Sequence, residues 1–74
     1  MMSEPVSLHA DRDGVSYEVR PEWLAGRYWW RIYVAGNPKV LVRYRHFAIQ
    51  AAESLAADEA LARRRSVDGE AELP

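Results

Sequence analysis

The sequence predicts a small α+β domain in which a three-stranded antiparallel sheet carries one C-terminal helix packed on one face. One segment alternates apolar and polar residues, and two others are rich in aromatic and β-branched residues, which favours three strands. A long segment rich in Ala, Leu, Glu and Arg, without Gly or Pro, follows them and favours a helix. The predicted order of elements is β-β-β-α.

The first strand is predicted over residues 15–20. Its side chains alternate between apolar and polar, and the turn signal Asp13-Gly14 precedes it. Pro21 is expected to end the strand, because proline cannot donate a ladder hydrogen bond. Residues 21–26 then form a connection.

The second strand (27–35) and the third (40–46) are predicted to form a hairpin around a turn at residues 36–39. Pairing Gly36 with Val40 keeps arginine off one face, whereas a slip of one residue would mix the two faces. The buried face is then predicted to contain Val15, Tyr17, Val19, Trp30, Ile32, Val34, Val40, Val42 and Tyr44. The opposite face is predicted to contain Ser16, Glu18, Arg20, Trp29, Arg31, Tyr33, Leu41, Arg43 and Arg45.

The helix is predicted over residues 47–65. An apolar stripe at helical spacing is expected to pack on the buried face of the sheet. Glu59 interrupts this stripe, so residues 58–65 are expected to project beyond the sheet, with Glu59 paired to Arg63. The predicted stripe consists of Ala48, Ile49, Ala51, Ala52, Leu55 and Ala56.

A chain of 74 residues has room for one domain, which we place at residues 12–65. Residues 1–11 are expected to be a flexible N-terminal segment, and residues 66–74 a disordered acidic tail. The chain contains no cysteine, which excludes disulfides and thiolate metal sites, and we predict no metal and no cofactor. Neither a signal peptide nor a membrane-spanning stretch is predicted, so we expect a cytoplasmic protein.

Residues 27–46 contain five positive side chains and no acidic one, although the formal net charge of the whole chain is −1. One helix covers only one face of a sheet, so the opposite face is expected to remain exposed. Trp, Tyr and Arg are enriched at binding hot spots. The alternative is that the arginines stack on the rings and keep the sheet soluble. The predicted partner-binding residues are Trp29, Arg31, Tyr33, Leu41, Arg43 and Arg45.

These features favour a small non-catalytic binding module whose partner is a larger protein. A phage- or plasmid-type inhibitor or adaptor, acting for example on a nucleic-acid-handling machine, is one such role. The alternative partner is DNA or RNA, because arginines neutralise phosphates while rings stack on bases. No pair of carboxylates, Ser/His set, Cys/His set or glycine-rich loop indicates an enzyme.

The helix offers two further candidate surfaces. Arg63, Arg64 and Arg65 are predicted to make secondary basic contacts, or else to complement the negative end of the helix dipole. A homodimer through the helix is a third hypothesis. It would use the small side chains of Ala56 and Ala60 together with Ile49.

Overall fold

The computed structural model describes the backbone of residues 5–72 and the side chains of residues 5–66. The strands form one antiparallel sheet in the order β1-β2-β3-β4, and a C-terminal helix packs on it. The predicted α+β class with an antiparallel sheet is therefore confirmed, but the sheet has four strands rather than three. The elements are β1 (Leu8–Arg12), β2 (Val15–Leu24), β3 (Arg27–Val34), β4 (Asn37–Val42) and α1 (Arg45–Glu72).

The additional strand is β1, which lies in the segment that was predicted to be flexible. Strand β1 pairs with β2 from Leu8 opposite Val19 to Arg12 opposite Val15. Asp13 and Gly14 connect the two strands with φ values of 51° and 83°, as in the two-residue turns that suit hairpins. The sequence signals the turn, but the strand before it is too short for its alternation to be recognised.

The same turn geometry recurs at Ala25-Gly26, and it explains why β2 is longer than predicted. Ala25 and Gly26 have φ values of 52° and 78°, so β2 and β3 pair up to Leu24 opposite Arg27. Pro21 does not end the strand. It lies beyond the last residue of β2 that pairs with β1, where no neighbouring strand needs its missing N–H.

The predicted register of the β3–β4 hairpin was wrong. The turn is Ala35-Gly36, so Val34 lies opposite Asn37 and Trp30 lies opposite Val42. Trp30 and Val42 still share the helix-bearing face, because at this pair the register differs from the predicted one by an even number of residues. A bulge between Arg31 and Tyr33 disturbs the alternation, and two residues predicted to be buried are exposed instead: Val40 (47%) and Tyr44 (55%).

The core lies between the helix and the β2 and β3 strands. The predicted apolar stripe is confirmed, since Ala48, Ala52 and Ala56 are fully buried and Leu55 packs against them. Ala60 is also buried, so the contact with the sheet continues one turn further than expected. The buried residues are Val15, Tyr17, Val19, Trp30, Ile32, Val34, Ala48, Ala52, Ala56 and Ala60.

The helix extends beyond both of its predicted ends. It begins at Arg45, and its backbone is helical to Glu72, through most of the segment predicted as a disordered tail (66–74). Residues 73 and 74 of that segment, and residues 1–4 of the predicted N-terminal segment, lie outside the described residues. Because Ala56 and Ala60 are buried against the sheet of the same chain, they are not available for the predicted helix-mediated homodimer.

Candidate binding surface

The sheet face opposite the helix carries ion pairs both between and within its own strands. Arg31 donates from Nε to Glu22 Oε2 at 2.7 Å and from Nη2 to Glu22 Oε1 at 3.4 Å. Arg20 Nε lies 2.8 Å from Glu18 Oε1. These contacts raise the pKa of Arg31 and lower the pKa of Glu18, because each charged form gains an oppositely charged hydrogen-bonding partner. The positive charge expected on this face is therefore neutralised locally.

The rings on this face are also engaged within the chain. The Arg20 guanidinium lies 4.6 Å from the ring centre of Tyr33, and that of Arg43 lies 5.8 Å from the ring of Trp29. The indole Nε1 of Trp29 donates to the carbonyl oxygen of Leu24 at 3.1 Å. Tyr33 and Trp29 are half-buried as a result. This arrangement corresponds to the alternative interpretation, in which arginines stack on the rings and solubilise the sheet.

The structure divides the six predicted binding residues between two places. Four of them are half-buried on the open sheet face: Trp29, Arg31, Tyr33 and Leu41. Arg43 and Arg45 lie beyond the end of β4, in the connection to the helix and in its first turn. The Arg43 guanidinium still reaches the open sheet face through the ring of Trp29, whereas Arg45 lies over Trp30, which belongs to the opposite, helix-bearing face.

The most exposed aromatic residues lie at one end of the sheet. Trp23 (61% exposed) and Tyr28 (39%) flank the β2–β3 turn and form an edge-to-face pair with ring centres 4.8 Å apart. Tyr44 (55%) lies in the connection from β4 to α1 and Phe47 (53%) in the first turn of α1, with ring centres 6.1 Å apart. We call this surface the aromatic end; it consists of Trp23, Tyr28, Tyr44 and Phe47 with Arg27, Arg43 and Arg45.

Arg43 connects the two halves of the aromatic end. Its Nη1 donates to the carbonyl oxygen of Tyr28 at 2.9 Å, and its guanidinium lies 5.2 Å from the ring centre of Tyr44. Arg45 lies over the buried ring of Trp30 at 5.6 Å. Among the side chains of residues 5–66, no carboxylate forms an ion pair with Arg43, Arg45 or Arg27. The aromatic end is therefore both apolar and positively charged.

The beginning of α1 adds to this positive potential. The first backbone hydrogen bond of the helix runs from the Ala48 N–H to the Tyr44 carbonyl at 3.0 Å. The first turn contains no acidic side chain, so the positive end of the helix dipole is not offset there.

The predicted secondary basic contacts lie far from the aromatic end. Arg63 is 18 residues after Arg45 on the same helix, or about 27 Å at 1.5 Å per residue. Its Nε donates to Glu59 at 3.3 Å, as the spacing predicted. Arg63, Arg64 and Arg65 are exposed, and the structure does not bring them into one surface with the aromatic end.

Two shallow depressions lie elsewhere on the described surface. One, of about 260 Å³, is on the open sheet face beside His9 and Glu18. The other, of about 410 Å³, lies between Arg12 and the helix residues Glu53 and Asp58. Near the second, the Tyr17 hydroxyl donates to Glu53 at 3.3 Å; burial, followed by this carboxylate, raises the Tyr17 pKa. Within residues 5–66, no group of three or more His, Asp or Glu side chains is placed to hold a metal ion.

The sequence reasoning missed Trp23, Tyr28 and Phe47 as surface residues. Recognition of Ala25-Gly26 as a hairpin turn would have placed Trp23 opposite Tyr28 at the end of the sheet. Their exposure, however, depends on where the helix begins to cover the sheet, and the local sequence carries no signal for this.

Comparison of the chain with protein families, with curated proteins and with solved structures gives no match. The described part of the helix contains no stretch that is long and apolar enough to cross a membrane.

Proposed function

We propose that this protein is a small non-catalytic binding module that uses its aromatic end to bind an acidic surface of a partner protein. The observation that carries the proposal is the coincidence of four exposed aromatic rings with three arginines that have no carboxylate partner among the described side chains. Aromatic and arginine side chains are the groups that dominate interface energies once they are desolvated.

The charge distribution favours an acidic partner. Arg20 and Arg31 on the open sheet face already have carboxylate neighbours, whereas Arg43 and Arg45 at the aromatic end contact rings and a carbonyl oxygen, with no carboxylate partner among the described side chains. A carboxylate on the partner would therefore gain new charge-assisted hydrogen bonds without displacing an existing ion pair. A phage- or plasmid-type inhibitor or adaptor remains the kind of role that we propose.

A nucleic acid is the alternative partner, and the flanking of Tyr44 by Arg43 is the observation that favours it. Exposed rings can stack on unpaired bases while neighbouring arginines neutralise phosphates. Among the described side chains at this end, only Arg27, Arg43 and Arg45 are without carboxylate partners, which limits the expected slope of log K against log salt to about −2.1 for a single strand and about −2.7 for a duplex. A protein surface, which offers apolar as well as acidic contacts, uses the aromatic end more completely.

Affinity capture from a lysate of the native host tests the proposal. We expect wild type to retain one partner, and we expect the double substitution Tyr44→Ala, Phe47→Ala to lose it. Tyr33→Ala, on the open sheet face, is the matched control and should retain the partner. Charge is tested separately, because Arg27→Glu should weaken capture whereas Lys39→Glu, outside the aromatic end, should not.

The outcomes distinguish the alternatives. Loss of the partner through Tyr33→Ala but not through the double substitution would move the binding surface to the open face. Binding of generic oligonucleotides in a gel shift, with a salt slope that falls on Arg27→Glu, would support the nucleic-acid alternative. If neither a partner nor an oligonucleotide depends on the aromatic end, the proposal is wrong.

A further inference from the structure

Strand β1 forms one edge of the sheet, and its outward-facing backbone groups can be identified from the turns. Arg12 and Val15 flank a two-residue turn, so they exchange the hydrogen bonds that close the hairpin. In an antiparallel ladder the bonded pairs alternate, so the N–H and C=O groups of Leu8 and Ala10 also face β2. The N–H and C=O groups of His9 and Asp11 therefore point away from the sheet.

The opposite edge, β4, is protected against pairing with another strand. Val34 and Asn37 flank the Ala35-Gly36 turn, so the next residue, Pro38, has its nitrogen on the outer side and no N–H to donate there. Lys39 and the β-bulge follow it, and both features hinder edge-to-edge pairing. Strand β1 has neither a proline nor a bulge among its five residues.

We propose that a second copy of this chain pairs antiparallel with β1 and that the two sheets join into one of eight strands. The two-fold axis would pass between the two Ala10 residues, so that His9 of each copy lies opposite Asp11 of the other. These two pairs would exchange four backbone hydrogen bonds, using the outward-facing groups identified above. This inference does not depend on the proposed function.

Charge complementarity selects this register. His9 and Asp11 share the open sheet face, so each imidazole ring, a hydrogen-bond donor, would meet an accepting carboxylate across the interface. A shift of one copy by two residues in one direction would place the two Asp11 carboxylates opposite each other. A shift in the other direction would place the two His9 rings together and leave Asp11 opposite Ser7. Only the proposed register pairs groups of complementary character on both sides of the axis.

The open-face side chains of β1, His9 and Asp11, are exposed. His9 is exposed, with a side-chain exposure of 72%, and its Nε2 lies 3.5 Å from Glu18 of the same sheet. Arg12, at the end of the strand, is exposed and lies 3.6 Å from Asp13. The two helices would lie on the same face of the joined sheet, because the axis is perpendicular to it. The two aromatic ends would then point in opposite directions, which would give a bivalent particle.

Sedimentation equilibrium on the full chain tests the proposal. A short edge-to-edge interface lies at the small end of protein interfaces, so the measurement should span protein concentrations from about 10 μM to about 1 mM. We expect wild type to dimerise in this range. Asp11→Lys should weaken dimerisation at least tenfold, because each His9 ring would lose the carboxylate that faces it across the interface. His9→Glu should weaken it similarly, because the introduced carboxylate would face Asp11.

A mixture of the two variants provides the decisive measurement. In a heterodimer of Asp11→Lys with His9→Glu, the remaining His9 faces the remaining Asp11, and the introduced ammonium group faces the introduced carboxylate. Complementarity therefore returns at both positions, and we expect the mixture to dimerise where each variant alone does not. Lys39→Glu, on the protected edge, is the matched charge-reversal control and should dimerise as wild type does.

Far-UV circular dichroism of each variant checks that the sheet is intact, since His9→Glu brings a second carboxylate near Glu18. His9→Pro is an independent variant that removes an outward N–H without removing a hydrogen bond to β2, and it should also abolish the dimer. A monomeric wild type at about 1 mM would overturn the proposal. So would dimers that persist in both Asp11→Lys and His9→Pro, or a mixture that stays monomeric while wild type dimerises.

Discussion

The three tryptophans differ in burial, and the same substitution at each should have a different cost. Trp30 is 7% exposed and lies in the core between Pro21 and Val42 on the neighbouring strands. A tryptophan buries about 150–250 Å², which at 25 cal/mol per Å² corresponds to an upper value of about 4–6 kcal/mol. Measured truncations of large aromatic residues cost about 3–5 kcal/mol, and we expect Trp30→Ala to fall in that range.

Trp23 and Trp29 serve as internal controls. Trp23 is 61% exposed and forms an edge-to-face pair with Tyr28, so Trp23→Ala should cost at most about 1.5 kcal/mol. Trp29 is half-buried and donates one hydrogen bond to the Leu24 carbonyl, so Trp29→Ala should cost about 1–2 kcal/mol.

Urea unfolding followed by far-UV circular dichroism measures all three variants without relying on the tryptophan signal. A domain of 74 residues has a total stability of about 4–11 kcal/mol, so Trp30→Ala removes a large part of it. The corresponding loss in Tm is about 4–8 °C per kcal/mol. Equal destabilisation by Trp30→Ala and Trp23→Ala would contradict the burial assigned to these two rings, and a larger effect of Trp29→Ala than of Trp30→Ala would refute the assignment of Trp30 to the buried face.

Three further predictions concern packing, backbone and pH. Ala52→Leu should destabilise by about 1–3 kcal/mol in urea unfolding, because Ala52 is fully buried between helix and sheet, whereas Ser54→Leu on the exposed side should be nearly neutral. Ala25→Asn should raise the free energy of unfolding by about 0.5–1 kcal/mol, because Ala25 has a φ of 52° and asparagine tolerates this left-handed conformation better than alanine. An unchanged or lower free energy of unfolding would contradict this prediction. Arg20 holds the pKa of Glu18 below its ordinary value of 4.5, so the stability that this pair contributes is present above pH 4.5 and is lost as the pH falls below it. As the pH is lowered below 4.5, the urea midpoint of unfolding should therefore fall less steeply in Glu18→Gln than in wild type. Identical dependence of the midpoint on pH in the two proteins would exclude a contribution of this ion pair.

Local periodicity is enough to assign the buried side chains of the central strands and of the helix. The alternation of Val15, Tyr17 and Val19 assigns them to one face whatever strand lies beside them, because side chains alternate with a period of two. The spacing of Ala48 and Ala52 defines the packed side of the helix in the same way. These patterns are local, so a wrongly predicted turn length does not change which side chains share a face. The faces of β2 and β3 were therefore predicted correctly.

The pairing of the charges and the exposure of the rings, in contrast, depend on how the strands are aligned in the folded sheet. Glu22 and Arg31 are nine residues apart in sequence and become neighbours because the Ala25-Gly26 turn fixes the register of β2 and β3. In the same way, Tyr44 alternates correctly for a core position, but β4 ends before it at Val42, and the ring is left exposed beside the helix. Which side chains pair and which are exposed depends on where the strands end and on their register. Strand ends and register are set by contacts across the whole sheet. The neighbours of a residue in sequence do not determine which residue lies opposite it across a turn.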